Sequence, residues 1–173
     1  MNIESTIRTV PDFPKKGIMF RDITTLLKDK DAFDYVVQAF FEHYKNKQID
    51  KVVSVESRGF IFGGVLAHKL KAGFVPIRKP GKLPAEVIRQ EYQLEYGTDS
   101  MEIHKDAISH GDRVLVHDDL LATGGTVAAA CKLIEKLRGK IEGICFLIEL
   151  TSLNGREAIP DRDVFSLIKY DID

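Results

Sequence analysis

"VLVHDDLLATGGT" (residues 114–126) joins three textures in a short stretch of chain. Residues 114–116 are an apolar, largely β-branched run that reads as a buried strand. Asp118 and Asp119 then set two carboxylates side by side, and 122–126 is a turn of small, glycine and hydroxyl-bearing residues that opens into "VAAACKLIEKL". A strand that ends in a glycine-bearing turn and passes straight into a helical pattern is half of a βαβ unit, so this stretch sets the fold class.

Working outward, similar apolar runs recur as "KVVSVES" (51–57), "AGFVPIRK" (72–79), "DRVLVHDDL" (112–120), "IEGICFLIEL" (141–150) and "VFSLIKY" (164–170). Helical patterns lie between them: "DAFDYVVQAFFEHYKNK" from Asp31, "GFIFGGVLAHKL" from Gly59 and "GGTVAAACKLIEKLRGK" from Gly124, the last closed by Gly139 just past its basic final turn. Alternating strands and helices predict an α/β fold, a mostly parallel twisted sheet with helices on both faces. Residues 80–111 interrupt the alternation. Their "VIRQEYQLEY" predicts an antiparallel excursion with its tip near Gly97, polar enough to offer little apolar surface for docking, and so a lid. With no repeat, low-complexity tract or long linker, the expectation is a single domain over 1–173.

At 173 residues, with 44% hydrophobic and 29% charged content, the chain supports one sizeable core. A net charge of -1 with both signs scattered leaves no electrostatic footprint for nucleic acid or an anionic membrane, which favours a small, discrete ligand. Cys131 and Cys145 are expected to be reduced core residues. Residues 1–20 are broken by charges, prolines and a glycine, so neither a signal peptide nor a membrane span is expected, and the cytoplasm is the expected compartment. His43, His68, His104 and His110 are dispersed and show no metal-ligand spacing, while His117 inside a strand reads as a packed histidine.

Ligands of open α/β sheets bind outside the carboxyl ends of the strands, where the opening stretch places its polar residues. The turn after Leu121 offers the bare amides of a helix N-terminus together with the hydroxyls of Thr123 and Thr126, a site for one phosphate, and Gly124 and Gly125 let the backbone approach it. Carboxylates do not face phosphate oxygens directly. Asp118 and Asp119 fit the two hydroxyls of a ribose ring, or a divalent cation bridging to them. The ligand class is a sugar phosphate.

The order of hydrophobic run, acidic pair and "ATGGT" resembles the phosphoribosyltransferases that use phosphoribosyl pyrophosphate. "PDFPKKGIMFRDITTLL" (11–27), "ESRGFIFG" (56–63), "RKPGKLP" (78–84), "LEYGTDSMEIHKDAI" (94–108) and "ELTSLNGRE" (149–157) carry the resemblance across nearly the whole chain, towards the branch that uses adenine. His117 departs from the family's usual aliphatic residue, and Pro80 stands where another basic residue occurs. A family member for another base is the nearest rival, and "GIMFRDI" favours adenine. A regulatory module that senses phosphoribosyl pyrophosphate while binding RNA or DNA would need a basic face or an appended helix-turn-helix, and neither is evident.

The resemblance implies the type I phosphoribosyltransferase fold, with an N-terminal hood segment over about 1–30 and a flexible loop over about 80–111. It implies transfer of the 5-phosphoribosyl group to N9 of adenine, giving AMP and pyrophosphate, in a cytoplasmic homodimer, with Mg²⁺ carried by the substrate's phosphates rather than by a protein cluster. Residues 122–126 (Ala122, Thr123, Gly124, Gly125, Thr126) would hold the 5′-phosphate. Phe20, the main chain of Arg21, and Leu150 would hold adenine, while Ser57, Arg58, Arg78, Lys79, Lys82 and Tyr96 would serve the pyrophosphate and the loop. Asp118, Asp119, Arg58 and Glu95 are the implied catalytic residues, Glu95 managing the purine's proton, and a non-proline cis peptide is implied between Glu56 and Ser57.

Overall fold

The computed structural model describes residues 1–94 and 96–171, which fall into two compact units, Met1–Ala39 and Phe40–Asp173. The N-terminal unit begins with a 3-10 turn, Ile3–Thr6, and an antiparallel pair, β1 (Arg8–Pro11) and β2 (Met19–Asp22), in register from Arg8 opposite Asp22 to Pro11 opposite Met19. Arg8 Nε donates to Asp22 Oδ2 at 3.0 Å across that pair. The other carboxylate oxygen of Asp22 accepts from the amide of Thr24 at 2.9 Å and starts α1 (Thr24–Leu27). In the connecting turn Phe13–Pro14 is cis, and Phe13 packs edge-on against Phe20 with ring centroids 5.0 Å apart. Phe13 is half exposed, so it is not the core residue its type suggests. Helix α2 (Lys30–Tyr44) starts one residue before the sequence pattern because Asp29 Oδ1 accepts from the amides of Asp31 and Ala32, at 3.0 and 3.1 Å.

The larger unit continues with β3 (Lys51–Val55), α3 (Gly59–Lys69), β4 (Gly73–Ile77), β5 (Val87–Gln93), β6 (Thr98–His104), β7 (Arg113–Leu121), α4 (Gly125–Lys136), β8 (Lys140–Leu150) and β9 (Val164–Tyr170). Five strands form one parallel sheet in the order β4-β3-β7-β8-β9, as the near-continuous Val/Ile runs predict. Successive side chains on each strand face opposite sides. On one side Val53, Val55, Val114, Val116, Ile144 and Phe146 pack with Val127, Ala130, Leu133 and Ile134 of α4. The other side holds Ser54, against which Gly63 of α3 lies so closely that a methyl group there would overlap the serine hydroxyl. It also holds His117, edge-on to Phe40 at 5.3 Å. Helices therefore cover both faces. Cys131 and Cys145 are free and buried, as expected.

Two features differ from the sequence reading. Helix α4 does not close on a left-handed glycine; Arg138 takes that conformation (φ 63°), its amide bonding Glu135 O at 2.9 Å and the next amide, of Gly139, bonding Ile134 O at 3.0 Å. Gly139 is required for space, since a Cβ there would lie 2.8 Å from Ile134 Cγ2 and 2.9 Å from Ile108 Cγ2. The excursion forms the antiparallel hairpin β5–β6, with Gly97 at φ 88° beside its tip, but it is not short of apolar anchorage. Met101 and Ile103 of β6 are fully buried in the core, and Ile88 and Tyr92 of β5 pack against it. Among the described residues no helix is long and apolar enough to cross a membrane.

His117 is completely buried, with Nδ1 3.3 Å from Cys145 Sγ, and burial holds its pKa down to about 4. The folded chain therefore keeps the ring neutral while the unfolded chain protonates it below about pH 6.5. This contribution to stability is fully present above pH 6.5 and is lost as pH falls towards 4. Urea unfolding at pH 7 and pH 5 is expected to show the wild type losing ~2 kcal/mol more than His117→Leu over that interval. The paired carboxylates contribute equally to both proteins.

Candidate active site

The order of the sheet places a crevice at one edge. From β3 the chain moves outward to β4, then returns to place β7 on the opposite side of β3, so the connections leaving the carboxyl ends of β3 and β7 diverge. A cavity of about 280 Å³ opens there. Its wall is made by the exits of β3 (residues 55–58), β4 (Arg78 and Lys79) and β7 (residues 118–127), with Tyr92 and Met101 of the hairpin completing it. Among the residues singled out from the sequence, Ser57, Arg58, Arg78, Lys79, Asp118, Asp119 and all of 122–126 line this one space.

At the β3 exit the Glu56–Ser57 peptide is cis, as the resemblance implies, and Arg58 follows as the residue before α3. Arg58 Nε lies 2.9 Å from Asp119 Oδ2. Strand β7 runs through the acidic pair to Leu121, further than the sequence pattern marks, and Asp119 is buried while Asp118 is partly exposed. Asp118 Oδ1 accepts from the amide of Asp119 at 2.8 Å. Burial, and next the adjacent Asp119, hold the Asp118 carboxyl well above the usual carboxylate range. Such a pair is suited to a ligand that brings hydroxyl donors or positive charge to it.

Beyond β7, Gly124 caps α4 at φ 86°, a conformation that favours glycine, and the amides of the first turn of α4 have no partners within the helix. They open on the cavity beside Thr123 and Thr126, an arrangement chemically suited to an anion and reinforced by the helix dipole.

Residues not foreseen from the sequence organise the cations. Glu56, mostly buried, accepts from the amide of Lys79 and from Lys82 Nζ, both at 2.6 Å, and lies 3.5 Å from Arg78 Nε. Burial opposes its ionisation, but these partners together hold its carboxyl below the ordinary range. Lys79 Nζ pairs with Asp99 and bonds Tyr92 Oη at 3.0 Å, joining the β4 exit to the hairpin. Arg89 of β5 grips the buried Glu102 through Nε and an Nη, at 3.0 and 2.7 Å. Acidic residues alternating with apolar ones in "TDSMEIH" hint at these partners, but nothing local identifies the cations they meet.

Lys82 is held at Glu56, outside the cavity wall, and Tyr96 is largely exposed. Phe20 and Arg21 belong to β2 in the N-terminal unit, where an Arg21 Nη donates to Thr9 Oγ1 at 2.5 Å. Leu150 ends β8 and pairs with Tyr170 of β9. Glu95 lies outside the described residues.

Comparison with known proteins agrees with this geometry. A family profile described as the phosphoribosyl transferase domain matches residues 22–173. The chain is 58% identical to an adenine phosphoribosyltransferase of Acidobacterium capsulatum over 97% of its length and 93% of that protein, and 59% identical to one of Chloroflexus aurantiacus over 98% of both. Among solved structures, it is similar to the adenine phosphoribosyltransferase of Thermoanaerobacter pseudethanolicus (TM-score 0.94, 54% identity, 97% of this chain and 98% of that one). It is also similar to the enzyme of Saccharomyces cerevisiae complexed with an imino-altritol bisphosphate and adenine (TM-score 0.90, 40% identity, 95% and 96%). With the family profile covering most of the chain and these relatives matching it almost end to end, the chain belongs to the adenine phosphoribosyltransferases, within the phosphoribosyltransferase family.

Proposed function

We propose that the cavity at the ends of β3 and β7 holds phosphoribosyl pyrophosphate, with the turn 122–126 on its 5′-phosphate and Asp118 and Asp119 on the two ribose hydroxyls. Ser57, Arg58, Arg78, Lys79 and Lys82 serve the pyrophosphate. The reaction transfers the 5-phosphoribosyl group to N9 of adenine. A bond forms from N9 to the anomeric carbon, the bond from that carbon to pyrophosphate breaks with its electron pair leaving on oxygen, and AMP and pyrophosphate result, a step of purine salvage. The observation that carries the assignment is the meeting of an anion turn, a carboxylate pair and a cationic rim in one cavity.

Each group has a task set by charge. The turn anchors the 5′-phosphate and so holds the reacting carbon still. Asp118 and Asp119 meet the ribose hydroxyls, and the negative charge the pair carries favours the positive character that develops on the ring as the leaving group departs. Arg58, Arg78 and Lys79 stabilise the departing anion. Glu95 is the proposed group for the purine's proton, and Tyr96 a loop contact; both assignments rest on the resemblance. On the resemblance, residues 80–111 are the proposed flexible loop and residues 1–30 the proposed hood.

Mg²⁺ is the proposed cofactor. The cavity's carboxylate oxygens at Asp118 and Asp119 are the donor type it prefers, and its other positions would be filled by substrate oxygens and water. When bound it would neutralise pyrophosphate charge. Free, buried cysteines support a cytoplasmic setting. The homodimer is proposed on the resemblance, and the net charge of -1 speaks against a nucleic-acid partner.

Four outcomes are expected. Thr126→Ala and Asp119→Asn should each lower kcat/KM for phosphoribosyl pyrophosphate by a factor of tens to hundreds, corresponding to ~2–3 kcal/mol, while the melting temperature changes little; parallel losses of activity and stability would remove the site assignment. In steady-state assays adenine should exceed hypoxanthine by about a thousandfold or more, because main-chain groups of Arg21 reading the base edge cannot reverse polarity. Phe20→Ala should weaken adenine binding by ~1–3 kcal/mol of stacking without altering that preference. Finally, Asp99 competes with incoming anions for Lys79. Since an ion pair this exposed is worth ~0.2–1 kcal/mol, Asp99→Asn should tighten pyrophosphate binding, followed by calorimetry, by up to about fivefold.

A further inference from the structure

The segment after β8, "TSLNGREA" (151–158), has no part in the mechanism above, yet it lies directly behind the phosphate turn. Two 3-10 turns, Thr151–Leu153 and Gly155–Ala158, are joined at Asn154, which takes a left-handed conformation (φ 52°). Ile159, buried in the core beneath them, bonds Arg156 O through its amide at 3.1 Å.

Contact between this segment and the turn is backbone against backbone. A methyl group added at Gly124 would overlap the carbonyl oxygen of Gly155 and stand 2.8 Å from Ala158 Cβ. One added at Gly155 would overlap the carbonyl oxygen of Ala122 and stand 2.8 Å from Leu121 Cδ1. The two glycines interlock, each vacating the volume that the other's neighbour fills.

Arg156 holds this arrangement to the sheet. Its Nε and one Nη donate to the two carboxylate oxygens of Glu149, at 2.7 and 2.8 Å, and its other Nη donates to Val164 O at 3.3 Å. Glu149 is itself buried, and in the β7–β8 ladder it stands opposite Leu121, the last strand residue before the phosphate turn. A rigid fork therefore links the backing segment to the strand position from which the turn departs.

Resting on the assignment of residues 122–126 to the 5′-phosphate, we propose that Gly155 and Arg156 are positioning residues for that turn. They fix its amides in the anion-binding conformation before ligand arrives, so that little ordering is left for the binding step. They touch no substrate; their effect passes through Gly124 and Ala122.

The test isolates the 5′-phosphate. Affinities for AMP and adenosine are measured by calorimetry on wild type, Gly155→Ala, Arg156→Ala and Arg156→Lys, with melting temperatures alongside. In the wild type AMP binds more tightly, and the ratio of the two affinities reports on the turn alone. The ratio should fall at least fivefold in Gly155→Ala and Arg156→Ala, and by an intermediate amount in Arg156→Lys, which keeps the charge and loses the fork, with adenosine affinity held within about twofold in all three. A ratio equal to wild type in the variants, whatever their melting temperatures, would overturn the positioning role. Should Gly155→Ala fail to fold, the two Arg156 variants decide the matter, the lysine substitution being the mildest. Equal binding of AMP and adenosine by the wild type would overturn the phosphate assignment itself, and the inference with it.

Discussion

The parallel pairing of β3 with β7 is the constraint on which the site depends. Their ladder runs from Lys51 opposite Val114 to Ser54 opposite His117, so both strands leave the sheet at the same edge. Glu56, Ser57 and Arg58 on one side, and Asp118 and Asp119 on the other, must then emerge side by side. The 2.9 Å contact of Arg58 with Asp119 follows from that register. A slip by one residue would turn every side chain of β7 through the sheet, exchanging the side that holds His117 and Asp119 with the side that holds Val116 and Asp118. With β4 and β8 lying on opposite flanks of this pair, the connections diverge, and a crevice lined by main-chain amides and charged groups opens over an apolar sheet.

Around that crevice several charged groups already have protein partners. Arg58 is held by Asp119, Lys79 by Asp99 and Tyr92, and Lys82 by Glu56. Orienting long side chains in advance reduces the freedom lost when an anion binds. Lys79 and Asp99 are both partly exposed, so their pair contributes only ~0–1 kcal/mol and exchanging that carboxylate for a ligand oxygen is energetically cheap. The carboxylates of Asp119 and Glu56 are nearly buried, so those two pairs act chiefly to hold Arg58 and Lys82 in place.

The turn 122–126 illustrates a second kind of constraint, set by close packing rather than by charge. Gly124 permits both the left-handed backbone that caps α4 and the approach of Gly155 from behind. The turn is shaped from its rear by the end of β8, while its amides face the cavity. Binding geometry at one end of the sheet is in this way set by packing between segments distant in sequence.

What the sequence by itself determined was whatever local pattern encodes: the five parallel strands, the three long helices, the hairpin turning beside Gly97, and the run from Asp118 to Thr126 as a strand exit that turns into a helix. These follow from the apolar periods and turn residues of each segment, which neighbours reinforce but do not create. Tertiary structure decided the partners. Glu56 as the acceptor for Lys82 and the Lys79 amide, Asp99 as the counterion of Lys79, and Arg156 as the fork on Glu149 all pair groups whose separation in sequence says nothing of their distance in space. The same holds for the hairpin, whose polar sequence reads as a loose lid because one strand face of alternating residues is easily lost among charges. Only the assembled core shows Met101 and Ile103 entering it, and only there does Gly139 prove to be needed for the space beside Ile108 and Ile134 rather than for its backbone freedom. Local propensity is a property of neighbouring residues, whereas burial and charge pairing belong to surfaces that exist only once the sheet has formed.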